Sequence, residues 1–302
     1  MIYTITLNPA LDYTIIIDKF NLNEINTSVR EYILPGGKGI NVSIILKRLG
    51  IDSVVLGFIS GFTGEEIKRI VETEKIETNF INLKTENSRI NVKILEENRE
   101  TAINSKGPLV EKKYIEELYQ KLELLKKDDI LVLSGSVPNG MDEDIYEKIC
   151  EKIKEYNIKI VVDSTKELLL NTLKYNPFLI KPNHHELGEI FNTKITSKDE
   201  AIEYAKKLQK MGARNVLVSM GGDGSVLLDE NGKSYKKEAI KNKNVINTVG
   251  AGDSMVAGFL AGYLKYQNYE DALKLGISSA TATVNSVYLG TKNEIIEYFN
   301  NF

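Results

Sequence analysis

The segment Asn247-Thr-Val-Gly-Ala-Gly-Asp253-Ser-Met-Val-Ala-Gly-Phe259 holds the residues best suited to chemistry. Three small residues, Gly250, Ala251 and Gly252, precede one carboxylate, Asp253, at the head of an apolar run to about Tyr266. This pattern predicts a tight loop feeding the N-terminus of a buried helix. The first turn of a helix leaves backbone N–H groups without intrahelical acceptors and carries the positive end of the dipole, which suits a phosphate. Glycines let the backbone approach such an anion with no Cβ in between. A carboxylate there stands where a general base for a hydroxyl nucleophile is needed. A plain N-cap is the alternative use of Asp253, and the rest of the chain decides between them.

Further polar clusters follow predicted strand ends. They are Asn8-Pro-Ala-Leu-Asp12, Ser134-Gly-Ser-Val-Pro138, Lys181-Pro-Asn183-His-His-Glu186 and Ser219-Met220-Gly221-Gly222-Asp223-Gly224. Ligands of open α/β sheets bind beyond the carboxyl ends of the strands, so this convergence predicts a site on that face. Gly221, Gly222 and Gly224 can expose amides to a polyphosphate, or simply form a turn. Asn183 and Glu186, at a helix start, can orient phosphate and hydrated magnesium or close a capping box. Lys38, in Gly36-Gly37-Lys38-Gly39 ahead of a helix, offers a cationic anchor for a phosphate. The run is not a Walker P-loop: Gly-x4-Gly-Lys-[Ser/Thr] does not occur in the chain. Arg89, opening a hairpin strand, can reach a second anion or stand exposed. Asp12 can accept hydrogen bonds from sugar hydroxyls or serve a turn. His184 and His185, the only histidines, lack the spacing of a metal pair or a triad partner and read as local structure.

The elements that must position these groups alternate. Tyr3–Leu7 reads as a strand ended by Asn8-Pro9, and Leu11–Ile17 as another. Ile40–Leu49 has helical spacing closed by Gly50. Ser53–Ile59 is a continuous apolar run, the mark of a strand buried on both faces, and a helix starts at Thr63. Helices over 111–126, 142–155, 166–174 and 197–211 then alternate with strands Ile130–Ser134, Ile158–Asp163, Phe178–Lys181 and Asn215–Ser219. A hairpin through Ser225–Leu228 and the turn Asp229–Gly232 follows, then the helix headed by Asp253 and closing helices over 269–286 and 292–300. The pattern predicts an α/β fold with a mainly parallel sheet and helices on both faces.

Residues 88–104 depart from it. Ile90, Val92 and Ile94 alternate with polar residues, Glu96-Glu97-Asn98 turns the chain, and Thr101–Ile103 returns. That is a hairpin with one solvated face. It belongs to a separate small sheet with residues 11–17 and parts of 24–34. The lysine-rich 233–243 reads as a solvated surface stretch.

A length of 302 residues suits one large α/β domain or two smaller ones. A net charge of −3, from 39 basic and 42 acidic residues, argues against a broad nucleic-acid surface. The single cysteine, Cys150, allows no intramolecular disulfide or cysteine-based zinc site and falls in a helical pattern as a core thiol. The first residues form a strand without a basic lead, so no signal peptide is expected. No apolar run reaches the length of a membrane span, and a cytoplasmic location is the simplest expectation.

Taken together, the motifs resemble the PfkB (ribokinase-like) family of carbohydrate kinases over essentially the whole chain. The resemblance rests on Asn8–Asp12, Gly36-Gly-Lys-Gly-Ile-Asn-Val-Ser43, Lys181–Glu186, Ser219–Gly224 and Thr248–Phe259, which occur in the family's order. The first two look like the branch that phosphorylates sugar phosphates. Arg89-Ile-Asn-Val-Lys-Ile94, Thr101-Ala-Ile-Asn104 and Gly107-Pro108 look most like members acting on fructose 1-phosphate, yielding fructose 1,6-bisphosphate. Fructose 6-phosphate and tagatose 6-phosphate are the alternatives, and a non-catalytic sugar-phosphate sensor is a remote one. Residues 60–64, Ser-Gly-Phe-Thr-Gly, lack the acidic residue many sugar kinases carry there, which weakens the case for an unphosphorylated sugar.

The resemblance implies a single kinase domain over 1–302, a Rossmann-like core with a small β-sheet lid over about 11–34 and 88–104, and a homodimer through the lid. It implies ATP and Mg²⁺ as cofactors and a phosphosugar as the partner. Asp253 would take the proton of the acceptor hydroxyl, and the N–H groups of Gly250, Ala251 and Gly252 would stabilise the transferring phosphoryl group. Lys181, Ser219, Met220, Gly221, Gly222, Asp223, Gly224, Thr248 and Ser279 would surround ATP, with Asn183 and Glu186 positioning Mg²⁺ and phosphates through water. Asp12, Gly37 and Asn41 would bind sugar hydroxyls, while Lys38 and Arg89 would hold the existing phosphate.

Overall fold

In the computed structural model, which describes residues 1–97, 99–138, 140–240 and 245–302, β1 (Ile2–Thr6) leads to β2 (Ala10–Ile16) and β3 (Arg30–Gly36). Helix α1 (Lys38–Arg48), β4 (Ser53–Ser60) and α2 (Gly61–Thr73) follow. Two short strands, β5 (Glu77–Thr78) and β6 (Ile81–Leu83), precede the hairpin β7 (Arg89–Glu96) and β8 (Arg99–Asn104). Next come α3 (Lys112–Leu122), β9 (Ile130–Ser134), α4 (Ile145–Ile153), β10 (Lys159–Asp163), α5 (Lys166–Leu170) and β11 (Leu179–Ile180). After them lie α6 (His184–Ile190), α7 (Lys198–Lys210), β12 (Asn215–Ser219), β13 (Ser225–Leu228) and β14 (Ser234–Lys237). The helices α8 (Ala251–Tyr266), α9 (Tyr269–Val284) and α10 (Lys292–Asn300) close the chain. Asn98, Asn139 and residues 241–243 of the lysine-rich stretch lie outside the described residues.

The large sheet runs β14-β13-β12-β11-β10-β9-β1-β4-β5, with β6 also on β4. Every pair from β12 to β5 is parallel, while β13 and β14 join antiparallel. Strand residues alternate between two cores. In β9, Leu131 and Leu133 pack with residues of α3 to α7, and Ile130 and Val132 with residues of α1, α2, α8 and α9. Burial on both faces is the reason the strands read as unbroken apolar runs. β1 lies between β4 and β9, so the order reverses there and opens a crevice at the carboxyl ends.

The second sheet runs β3-β2-β7-β8, with β2 antiparallel to β3 and parallel to β7. Its register sets Asp12 beside Asn91 and Ala10 beside Arg89. β2 follows β1 directly, which carries this sheet to the mouth of the crevice. Among the described residues no helix is long and apolar enough to cross a membrane.

Some bounds differ from the sequence pattern. α4 and α5 are shorter than their spacing suggests. Each passes into a single 3₁₀ turn, Lys154–Tyr156 and Leu173–Tyr175, followed by a left-handed asparagine, Asn157 or Asn176, at φ 52°. β5 and β6 are too short for alternation to show. α1 begins at Lys38 rather than Ile40, which places the lysine in its first turn.

Candidate active site

The start of α1 is pressed against the end of β1. A Cβ on Gly37 would stand 2.5 Å from Thr6 Cγ2, and one on Gly39 2.6 Å from Thr6 Oγ1. Only glycine fits at these positions, and Gly37 has φ 132° besides. The Ile40 N–H donates to Thr6 Oγ1 at 3.0 Å and fixes the helix entry. Lys38 is thereby held at the crevice.

The start of α8 faces it. Gly250 is the N-cap in the left-handed region, φ 80°, and a Cβ there would meet Leu289 at 2.8 Å. The Ala251 N–H donates to Thr248 O at 3.4 Å. The Gly252 and Asp253 N–H groups take no protein acceptor among the described residues, as expected of a first helical turn.

Asp253 is 5 % exposed, and Asn41 Nδ2 donates to its Oδ2 at 2.8 Å. Burial, then the nearby charge of Asp163, pushes its carboxyl up to about 6. Asp163, at the end of β10, is 1 % exposed, and its Oδ1 lies 3.2 Å from both Lys38 Nζ and Lys181 Nζ. Burial opposes its charge, but Lys181 and then Lys38 outweigh it and hold the carboxyl below its ordinary value. Burial likewise works against the Lys38 ammonium, yet Asp163 and then Asp253 raise it above its ordinary value.

On the other side of the cleft, Asn91 Nδ2 donates to Asp12 Oδ1 at 2.8 Å. Gly36 leaves room for this carboxylate, since a Cβ there would stand 2.7 Å from Asp12 Oδ2. Arg89 is half-buried, its Nε donating to Asn8 O at 3.0 Å, and burial pulls its guanidinium below the ordinary value. It lines the cleft rather than standing free on the hairpin.

Toward β12, Asn183 caps α6. Its Oδ1 accepts from His185 N–H at 2.9 Å and Glu186 N–H at 2.8 Å, and Glu186 Oε2 accepts from the Asn183 N–H at 2.8 Å. The capping box is therefore formed, and both side chains also line the cleft. The His184 and His185 rings lie tilted against each other with centroids 3.9 Å apart, and neither lines it. Ser219 reaches the cleft; beyond it Gly221 and Gly222 form an open 3₁₀ turn with Asp223 and have nothing within 4 Å of an added Cβ. Gly224, φ 89°, is pressed on Lys237 O. Met220 is buried at 3 %, so only its backbone faces the turn. Thr248 is exposed beside Val249, which lines the cleft.

These groups share one cleft of about 720 Å³, lined among others by Asp12, Gly37, Lys38, Asn41, Arg89, Lys181, Asn183, Glu186, Gly250, Gly252 and Asp253. Buried polar atoms without a protein partner gather on its lining residues: Asn8 Oδ1, Asn41 Oδ1, Asn91 Oδ1, Ser134 Oγ and Ser164 Oγ. Such atoms are costly unless a ligand or water satisfies them. The arrangement presents a near-neutral-pKa base, a helix start with free amides, and cations on either side. Those are the needs of phosphoryl transfer to a hydroxyl.

A profile of the pfkB family of carbohydrate kinases matches residues 6–296. The chain belongs to this family. A 1-phosphofructokinase of Bacillus subtilis (strain 168) is 47% identical over 292 residues, covering 97% of this chain and 95% of that protein. A D-tagatose-1-phosphate kinase of Bacillus licheniformis is 37% identical, with 98% and 96% covered. Phosphofructokinase-2 from Escherichia coli, solved in complex with substrates and products, matches with a TM-score of 0.93 and 26% identity over 99% of this chain and 98% of that one. As a pfkB-family carbohydrate kinase, the chain is an enzyme with ATP as co-substrate.

For this kinase, one residue expected at the nucleotide lies elsewhere. Ser279 is wholly buried within α9, its hydroxyl donating to Leu275 O at 2.8 Å, and it packs where Gly258 lets α8 approach. It serves the helix crossing, not the cleft. Conversely, Asp163 and Ser164 escaped the sequence reading as site residues. Their one signal was position, at the carboxyl end of a parallel strand. Asn91 was legible only as a polar residue in an alternating strand. Burial pushes the Cys150 thiol up to about 12, which fits the core thiol its helical spacing predicts.

Proposed function

We propose that this chain phosphorylates D-fructose 1-phosphate with ATP to give D-fructose 1,6-bisphosphate. The observation that carries the reading is one cleft joining Asp253, at the head of α8, to Lys38 and Arg89. A base suits any acceptor hydroxyl, whereas the added cations suit an acceptor that already bears a phosphate. The 1-phosphofructokinase relative supports the choice of sugar.

In the reaction, Asp253 accepts the proton of the acceptor hydroxyl as its oxygen bonds to the γ-phosphorus and the bond to the β-phosphate oxygen breaks. Charge on the transferring oxygens meets the first-turn amides from Gly250 to Gly252 and the helix dipole. Lys38 and Arg89 hold the phosphate already on the sugar, and Asp12, Gly37 and Asn41 meet its hydroxyls. Lys181, Thr248 and the Ser219–Gly224 turn take the ATP side, through backbone at Met220 and the glycines. Mg²⁺ bound with ATP supplies further charge neutralisation. Glu186 and Asn183 would hold it through water: Glu186 Oε1 has no protein partner among the described residues, and no cluster of three His, Cys, Asp or Glu side chains occurs there for direct ligation.

The whole chain is read as one kinase domain. Its second sheet, about 11–34 and 88–104, acts as the lid, since Asp12 and Arg89 come from it. A second copy of the chain covers the aligned row of Ile33, Tyr13, Val92 and Ile103 on the face of this sheet opposite Asp12.

The test is ATP-dependent turnover, by ADP release, on fructose 1-phosphate, fructose 6-phosphate, tagatose 6-phosphate, tagatose 1-phosphate and fructose. A kcat/KM for fructose 1-phosphate about tenfold or more above the rest is expected. A preference for another phosphosugar would overturn the acceptor reading alone. No turnover on any of them would favour a sugar-phosphate sensor.

A further inference from the structure

Asp163 takes no part in the steps above, yet it is among the most deeply buried charges of the site. Its Oδ1 meets two ammoniums from separate segments. Lys38 opens α1, and Lys181 follows β11, each at 3.2 Å. Lys38 Nζ also lies 3.5 Å from the Asp163 carbonyl oxygen. Lys181 is 4 % exposed, and a Cβ on Gly252 would stand 3.1 Å from its Nζ, so its charge sits beside the first turn of α8. A cation so buried is strongly disfavoured without a counter-charge, and Asp163 is the carboxylate that supplies it at contact distance.

We propose that Asp163 is a positioning residue that clamps Lys38 and Lys181 together near Asp253, so that both cations are aligned before substrates arrive. The inference rests on the phosphoryl-transfer reading and adds a part to it. Pre-alignment matters because transfer depends on charges already in place when the transition state forms. The clamp also balances charge, two carboxylates against two ammoniums, around the base.

The charges facing Asp253 fix the direction of the test. Lys38 comes from α1, Asp163 from β10, and Lys181 from the segment after β11. Glu186 of α6 acts on Lys38, and the half-buried Tyr288 phenol feels Arg48 and Glu74 and, less, Asp12 and Asp253. Of these, Asp163 is the carboxylate that most opposes ionisation of Asp253.

The pH profile of kcat/KM for fructose 1-phosphate is measured for wild type and Asp163→Asn, with thermal unfolding alongside. The acid limb is expected to move down by about half a pH unit or more, because a negative charge beside the base is gone. In the same variant kcat falls about tenfold or more and KM for the sugar rises with it, since Lys38, which holds the sugar phosphate, loses its alignment. A lower Tm with an unmoved acid limb would make Asp163 a structural counter-ion only and overturn the proposal. If Asp163→Asn does not fold, Asp163→Glu carries the comparison, since it keeps the counter-charge and only displaces it: kcat should fall about tenfold or more with the acid limb unmoved, and a wild-type kcat overturns the clamp. Wild-type turnover on a different phosphosugar would unseat the substrate reading and leave this comparison to be made on that sugar.

Discussion

The Asn41 side-chain amide donates a 2.8 Å hydrogen bond to Asp253 Oδ2 and so ties α1 to α8 at the floor of the cleft. One carboxylate oxygen is occupied, and Oδ1 has no protein donor among the described residues. The bond favours the ionised form of a carboxyl that burial otherwise holds near neutral pH. Asn41→Ala should therefore move the acid limb of kcat/KM to higher pH and lower kcat by about tenfold, a modest share of a general-base contribution. A pH profile matching wild type would remove Asn41 from any role in setting the base.

Asp253→Asn should remove most of the turnover and stabilise the protein. The folded carboxyl titrates at about 6 against an ordinary 3.8, so between those values the folded state binds more protons than the unfolded one. Ligand-free stability should then rise as pH falls from above 6 toward 4, and at pH above 6 the ionised carboxylate is a cost. Asp163 runs the other way, but its window lies below 3.8. Removing the Asp253 charge should raise stability at neutral pH by about 1–3 kcal/mol, up to a few degrees in Tm. Turnover should fall by about 10²-fold or more. Thermal unfolding and ADP release check both; a lowered Tm would make Asp253 a helix cap first and a base second.

How far the sequence foretold this site depends on what kind of signal each residue leaves. Asp253 and Lys38 were legible because glycines surround them, and the close approach of α1 to Thr6 explains why glycine is needed. The alternating strands and helices were legible because both sheet faces are apolar. Asp163 was not, because an aspartate ending a strand has no local pattern, and its partners are distant in sequence. Ser279 misled because a serine in a helix can face a ligand or its own backbone, and the contact that decides it comes from Gly258 of α8. Asn183 and Glu186 carried two readings; the structure forms the cap and leaves one Glu186 oxygen over.

Lys38→Ala should separate the two substrates. On the proposed reading its ammonium meets the acceptor's phosphate, and Asp163 raises it above its ordinary value despite burial. Losing it should raise KM for fructose 1-phosphate by about tenfold or more, in the range of a lost charge-assisted hydrogen bond. The dissociation constant of ATP, read by calorimetry without the sugar, should change less than about threefold. Equal losses for both ligands would place Lys38 between them rather than on the acceptor.

The second sheet carries an apolar row whose ends stay exposed among the described residues. Register aligns Ile33 with Tyr13, Tyr13 with Val92, and Val92 with Ile103, so the four side chains share one face across β3, β2, β7 and β8. Ile33 is 56% exposed and Ile103 60%, both on edge strands, where unpaired backbone invites a partner. A second copy packing its own sheet against this row would bury both isoleucines. Light scattering should give twice the chain mass for the wild type, and Ile33→Glu/Ile103→Glu should give the single-chain mass with secondary structure unchanged. The charges would face each other across the interface, where like charges are disfavoured without changing the fold of either copy. A wild type at single-chain mass, or a dimer that survives both substitutions, would assign the row to something other than self-association.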